Sequence, residues 1–234
     1  MSYYNIDFLI AAMIILLLIL YHFLRQRRAK DLNNQVFLLF AVLGTMDVAA
    51  ELLSNYCITS YNSELGMTAW FSTTIFYLFQ ALLPYTLIFY VHTLHDHNVI
   101  SIKKMLISGI PTIALLCIVL TNPFTEKLFY FDVSGGYMAG PWYMLMYYSA
   151  LCHIVVALFL ILNWWKELGI QRVKILLEIL LLSGSGVIIQ FVYHPLLTTG
   201  FGLSLGILAL FITINNPHAN MDSMTGLYNH LYLT

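Results

Sequence analysis

On one segment Gly44, Asp47, Glu51 and Asn55 recur at intervals of three, four and four, the repeat that lines residues along one helical face. Two acids a turn apart can bind a cation, relay a proton or receive a polar ligand. If that face is buried, the two carboxylates do not both ionise readily, so one is expected to be protonated or paired with His153 or His194. Three further stripes carry similar chemistry: Thr73 and Gln80 ahead of Pro84; Trp142, Ser149 and His153; and Ser183, Gly186, Gln190 and His194. Pro84 is expected to kink its helix and free backbone carbonyls.

The elements holding these stripes are apolar throughout. Of 234 residues, 60% are hydrophobic and only 9% charged, with a mean hydropathy of +0.81. A soluble domain carries about 25% charged residues, so a water-soluble globular fold is excluded. A net charge of −1 argues against a nucleic-acid partner, whose phosphates call for a surplus of Lys and Arg. Crossing the membrane takes roughly 20 apolar residues. Seven such runs occur, near 5–24, 36–56, 68–92, 105–121, 141–163, 175–195 and 199–215, and predict an all-α seven-helix bundle in the lipid bilayer. The first run lacks a preceding Lys or Arg and a small-residue cleavage site, and reads as a retained helix.

Orientation follows from the basic residues, which stay on the cytoplasmic side. Arg25, Arg27, Arg28, Lys30, Lys103, Lys104, Lys166, Arg172 and Lys174 fall on one side of the expected topology, and Lys127 alone on the other. The N-terminus is thus expected outside and the C-terminus in the cytoplasm. Trp70, Trp142, Tyr143, Trp164 and Trp165 fall at the span borders, as headgroup-level aromatics do. The longest outer connection, Asn122 to Gly140, has strand-forming residues around Gly135-Gly136 and is expected to form a short hairpin that packs on the helix ends as a lid; a loop dipping into the headgroups is the alternative.

Counting inward from the outer helix ends, Asp47, Gln80 and His153 fall near mid-membrane, and Glu51, Asn55, Trp142, Tyr143, Gln190 and His194 in the outer half. Four helices thus converge on one polar-floored pocket. The expected ligand-binding set is Asp47, Glu51, Gln80, Trp142, Tyr143, His153, Gln190 and His194. The plainer alternative for Gln80, Ser149 and Ser183 is interhelical hydrogen bonding, worth about 0.6 kcal/mol each. Glu178 reads as a structural partner of Lys174. No metal site is expected: His92, His95 and His97, or His22 with His92, lack a specific ligand spacing, and Cys57, Cys117 and Cys152 read as small apolar residues. A retinal receptor is excluded, because the Schiff base needs an intramembrane lysine.

After the last span comes AsnAsnProHisAlaAsn and then AspSerMetThrGlyLeuTyrAsnHis, from Asp222 to His230. This stretch resembles the opening of a GGDEF (diguanylate cyclase) domain, D-x-L-T-G-L-x-N-R, through Asp222, Thr225, Gly226, Leu227 and Asn229; Met224 stands for Leu and His230 for Arg. The remainder resembles the seven-helix N-terminal sensor region of bacterial histidine kinases and diguanylate cyclases. That likeness lies in the outside-first topology and in AsnPro (Asn122, Pro123) and GlyProTrpTyr (Gly140 to Tyr143) bracketing the fourth-to-fifth loop. The resemblance implies a sensor domain at 1–216, a linker at 217–221 and the start of a cyclase domain at 222–234. It also implies a multi-pass protein of the bacterial inner membrane, a homodimer, and a bundle that controls synthesis of cyclic di-GMP from GTP with Mg²⁺. No GGDEF signature occurs in these 234 residues, so no catalytic residue or cofactor is expected within this chain, which is read as part of a longer protein. The implied function is ligand sensing. A transporter or proton pathway through Asp47, Glu51 and His153, and a passive membrane anchor, are the alternatives.

Overall fold

The computed structural model describes residues 5–26, 32–59, 66–95, 102–132 and 136–214, apart from the side chains of Ile102 and Lys104. The expectations placed on Arg27, Arg28, Lys30, His97, Gly135, residues 217–221, Asp222, Thr225, Gly226, Leu227 and Asn229 lie outside the described residues. Among those described, the helices are α1 (Asp7–Arg25), α2 (Leu32–Thr59), α3 (Gly66–His95), α4 (Ile102–Thr125), α5 (Leu145–Asn163), the one-turn α6 (Trp165–Leu168), α7 (Ile170–Val192) and α8 (Thr199–Ile214). Strands β1 (Phe129–Phe131) and β2 (Tyr137–Ala139) lie between α4 and α5. Six helices, α1 to α5 and α7, are long and apolar enough to cross a membrane, and α8 is a shorter apolar helix of 16 residues. The protein is a multi-pass membrane protein.

Several boundaries depart from the hydropathy runs by three to five residues, as where α2 starts at Leu32 and α4 ends at Thr125, and two of the departures have a local reason. The helix expected from 175 begins at Ile170, because Arg172 and Lys174 depress hydropathy while remaining good helix formers. The break before it is Gly169, whose φ of +78° ends α6 in a backbone region open to glycine. The helix expected from 141 begins at Leu145, since residues 141–144 form a turn.

The N–H of Asn5 donates to the carbonyl of Pro195 (2.9 Å), so the start of α1 and the α7–α8 turn share one end of the bundle. Tyr143, just before α5, hydrogen-bonds His194 there as well, which places the hairpin at this end. At the opposite end His95 stacks on Trp164 at 3.9 Å and meets Glu167 at 2.5 Å, joining α3 to α6. Around the bundle, α1 packs on α2 and α8, α3 on α2, α4 and α5, and α7 on α5 and α8.

The main core runs through Leu9, Leu16, Phe37, Phe40, Ile88, Ile161, Ile179 and Ile207. Within it α7 and α8 meet backbone to backbone: a Cβ on Gly202 would stand 2.6 Å from the Leu182 carbonyl, and one on Gly186 2.6 Å from that of Thr198. A second, aromatic core joins Tyr77, Leu115, Val119 and Met146 to Leu128 and Phe129 of the hairpin. The hairpin is antiparallel, pairing Phe129 with Ala139 and Phe131 with Tyr137. Its base is pinned by fully buried Asn122, which donates to the Phe129 carbonyl (3.0 Å) and accepts from the Leu128 N–H (2.7 Å). Lipid-sized apolar side chains such as Leu18, Ile107, Phe159 and Leu181 point outward, as a bilayer solvent requires.

Candidate functional site

Two cavities are stacked along the bundle axis. The outer one, about 220 Å³, lies under the hairpin and is lined from α2 by Glu51, Ser54 and Asn55, and from α3 by Thr73, Tyr77 and Gln80. Tyr137 of β2, Tyr143, Tyr147, Gln190 and His194 complete its polar wall. Most of these groups are already joined. Ser54 and Thr73 share a hydrogen bond of 2.7 Å between α2 and α3, Tyr77 meets Tyr137 at 2.7 Å, and Tyr143 meets His194. Gln190 is a node: its Oε1 accepts from the Thr199 N–H (2.8 Å) at the start of α8, leaving its amide hydrogens to face Glu51 and Tyr147. Glu51 also lies near the first turn of α8, where a Cβ on Gly200 would stand 3.6 Å from its Oε2.

The inner cavity, about 70 Å³, is mostly apolar, with Phe40, Leu83, Leu87, Ile154, Leu180, Val187 and Leu203 around Asp47, Gln80, His153, Ser183 and Thr199. It shares Gln80, Met146 and Tyr147 with the outer cavity. Its polar atoms are treated differently. Asp47 Oδ1, Ser183 Oγ and Thr199 Oγ1 are buried and meet no hydrogen-bond partner among the described residues. The partnership of Asp47 or Glu51 with a histidine is not what forms. His153 Nε2 is 2.8 Å from Thr112 Oγ1 on α4 and its Nδ1 is 2.6 Å from the Ser149 carbonyl, so both ring nitrogens are occupied. His194 turns to Tyr143 instead.

The geometry thus gathers Asp47, Glu51, Gln80, Tyr143, His153, Gln190 and His194 around two adjacent cavities that share Gln80, Met146 and Tyr147. Trp142 lines neither: it is 42% exposed, with the Lys127 ammonium 4.0 Å from its ring centroid, because the turn before α5 aims it outward beside the hairpin base. The polar lining residues that escaped the sequence reading include Ser54, Tyr77, Tyr137, Tyr147 and Thr199, two of which periodicity could have found. Tyr77 falls between Thr73 and Gln80 at the same four-then-three spacing, and Tyr147 follows Tyr143 by four, so both were accessible from periodicity. Among the described residues no group of three or more His, Cys, Asp and Glu side chains is placed to hold a metal ion.

A comparison of the sequence with curated proteins finds none that matches. The family model of the N-terminal 7TM region of histidine kinase matches residues 8–216, which takes in every described helix from Phe8 onward and both cavities. The chain therefore belongs to the family of N-terminal 7TM regions of histidine kinases, membrane modules for signal transduction.

Proposed function

We propose that the chain is the ligand-sensing membrane module of a bacterial inner-membrane protein, with its N-terminus outside and its C-terminus in the cytoplasm. Arg25, Lys103, Lys166, Arg172 and Lys174 at one end, against Lys127 at the hairpin end, support that orientation. A small ligand enters beneath the hairpin and occupies the stacked cavities. The observation that carries the reading is the outer cavity, whose wall includes both Glu51 and the Gln190 node on which the first turn of α8 rests. A ligand that takes the Gln190 amide or Glu51 acts on α8 directly. α8 leads into the tail, so a shift of this helix is carried toward the cytoplasm.

The residues 1–216 then form the sensor domain, 217–221 a linker, and 222–234, with Asp222, Thr225, Gly226, Leu227 and Asn229, the opening of a GGDEF domain. The output is cyclic di-GMP synthesis from GTP and Mg²⁺ by a homodimer, since two such domains must meet to make one product. The ligand acts only by binding two states of the bundle unequally. The test is to graft the chain at Thr234 onto an active diguanylate cyclase domain and measure cyclic di-GMP in membranes exposed to small metabolites. A metabolite that changes output severalfold in the wild type and not in Asp47→Asn supports the reading; output indifferent to every metabolite, with a folded bundle, overturns it.

A further inference from the structure

Asp47 is only 2% exposed, and one of its carboxyl oxygens faces no donor although it lines a cavity. An isolated buried carboxylate is costly unless a cation or donors meet it. At this depth the protein supplies no cation among the described residues. Arg25, Lys103, Lys166, Arg172 and Lys174 stand near helix ends, Lys127 lies beside the hairpin, and the rings of His153 and His194 are engaged elsewhere. The orphan hydroxyls do not converge on Asp47 as a set. Ser183 Oγ lies 2.9 Å from where a Cβ on Gly206 would stand, seven residues and about 10 Å along α8 from Thr199. Asp47 sits between these levels, because its neighbours Gly44 and Val48 pack on Ile207 and Gly200. Unmet acceptors are therefore strung along the cavity with one acid in the middle.

One turn further out, about 6 Å along α2, Glu51 faces the outer cavity, 3% exposed. The rings of Tyr77, Tyr137, Tyr143 and Tyr147 line the same space, and aromatic faces attract ammonium groups. Two acids, one in each of two adjacent cavities that share three wall residues, match two cations a fixed distance apart. A monoamine leaves one acid unmatched, and a zwitterion brings a second carboxylate against Glu51 or Asp47.

We propose that the stacked cavities bind a short linear α,ω-diamine, with one ammonium at Asp47 and the other at Glu51 among the tyrosine rings. Five bonds of about 1.5 Å in a staggered chain place the nitrogens of a four-carbon diamine roughly 6 Å apart, the rise between the two acids. The methylenes pass Met146 and Tyr147, which wall both cavities. This inference rests on the cavities being the ligand site of the receptor reading, and it is tested by binding alone.

The experiment is calorimetric titration of the purified full chain at neutral pH with 1,4-diaminobutane, n-butylamine and 1,4-butanediol. The diamine is expected to bind saturably and at least tenfold more tightly than butylamine, with no saturable heat from the diol. Asp47→Asn and Glu51→Gln should each weaken the diamine at least tenfold, about 1.4 kcal/mol, toward the affinity of butylamine. Equal affinity for diamine and monoamine, indifference to both substitutions, or no saturable diamine binding overturns the proposal. If one variant fails to fold, the other variant and the wild-type ratio still decide. Diamine binding by the chain, with a grafted cyclase whose output is indifferent to every metabolite including the diamine, would refute the receptor reading and leave the diamine assignment standing. A grafted cyclase that answers another metabolite while the chain ignores the diamine would refute this one alone.

Discussion

The two cavities share three wall residues, yet buried oxygens without a described partner line only the inner one. In the outer one, Ser54 meets Thr73, Tyr77 meets Tyr137, Tyr143 meets His194 and Gln190 meets α8, each bond joining two elements. In the inner one, Asp47, Ser183 and Thr199 each keep a buried oxygen with no described partner. A satisfied buried network fixes the geometry of the elements that make it, whereas an unsatisfied group destabilises the empty state by about 1–3 kcal/mol. The outer wall is thus braced by its own bonds, whereas the inner wall keeps polar atoms that no described residue meets. Polarity in a membrane bundle does not tell the two apart until partners are counted.

The largest effect is expected where both cavities share a support. Gly202→Ala sets a methyl 2.6 Å from the Leu182 carbonyl, a clash no side-chain motion relieves, so α7 and α8 must part. A loss of about 3 kcal/mol or more is expected, read as a fall in melting temperature of the purified chain. Next comes Asn122→Ala, which orphans the Phe129 carbonyl and the Leu128 N–H at the hairpin base and should cost about 2–3 kcal/mol. It removes the roof of the outer cavity alone. Protease cleavage between Lys127 and Tyr137 should accelerate while the rest of the bundle stays protected; uniform loss of protection would break the distinction. Opposite signs are then expected from a matched pair. Gln190→Leu strips the Thr199 N–H of its acceptor and should destabilise by about 1–2 kcal/mol, whereas Asp47→Leu removes an unmet acid and should stabilise the empty chain by about 1 kcal/mol. Melting curves recorded without ligand would break the comparison if both variants fell together.

The sequence made some of this legible and hid the rest for physical reasons. The seven apolar runs show because lipid-facing positions such as Leu18 and Phe159 need apolar side chains over a fixed length. The hairpin shows because strand-forming residues from Phe129 to Phe131 and from Tyr137 to Ala139 flank the turn-favouring pair Gly135-Gly136 in the sequence. Periodicity assigns Asp47, Glu51, Gln80 and Gln190 to faces, and those faces do point inward. Periodicity does not say which face of which neighbour a side chain meets. His153 belongs to Thr112 on α4, where Ser108 and Thr112 stand four apart, but spacing within α4 does not say which neighbouring side chain Thr112 meets. Nor does it reveal that Gln80, Met146 and Tyr147 stand where the two cavities adjoin, since that depends on side-chain volume across a gap set by five helices.

The smallest expected effect is also the closest comparison, because it places one chemical change in each cavity. Ser54→Ala and Ser183→Ala both remove a single buried hydroxyl from a membrane helix. Ser54 Oγ is bonded to Thr73 across α2 and α3, and such interhelical bonds average about 0.6 kcal/mol, so a loss of that order is expected. Ser183 Oγ is bonded to nothing described and packs beside Gly206, so its removal should leave the stability of the empty chain unchanged or slightly raised. The difference is read by unfolding both variants reversibly in one detergent, with Thr73→Ala added to close a double-mutant cycle on the bonded pair. Coupling between Ser54 and Thr73, with none between Ser183 and Asp47, is what separates a wall held by its own bonds from one whose polar atoms make none with described residues.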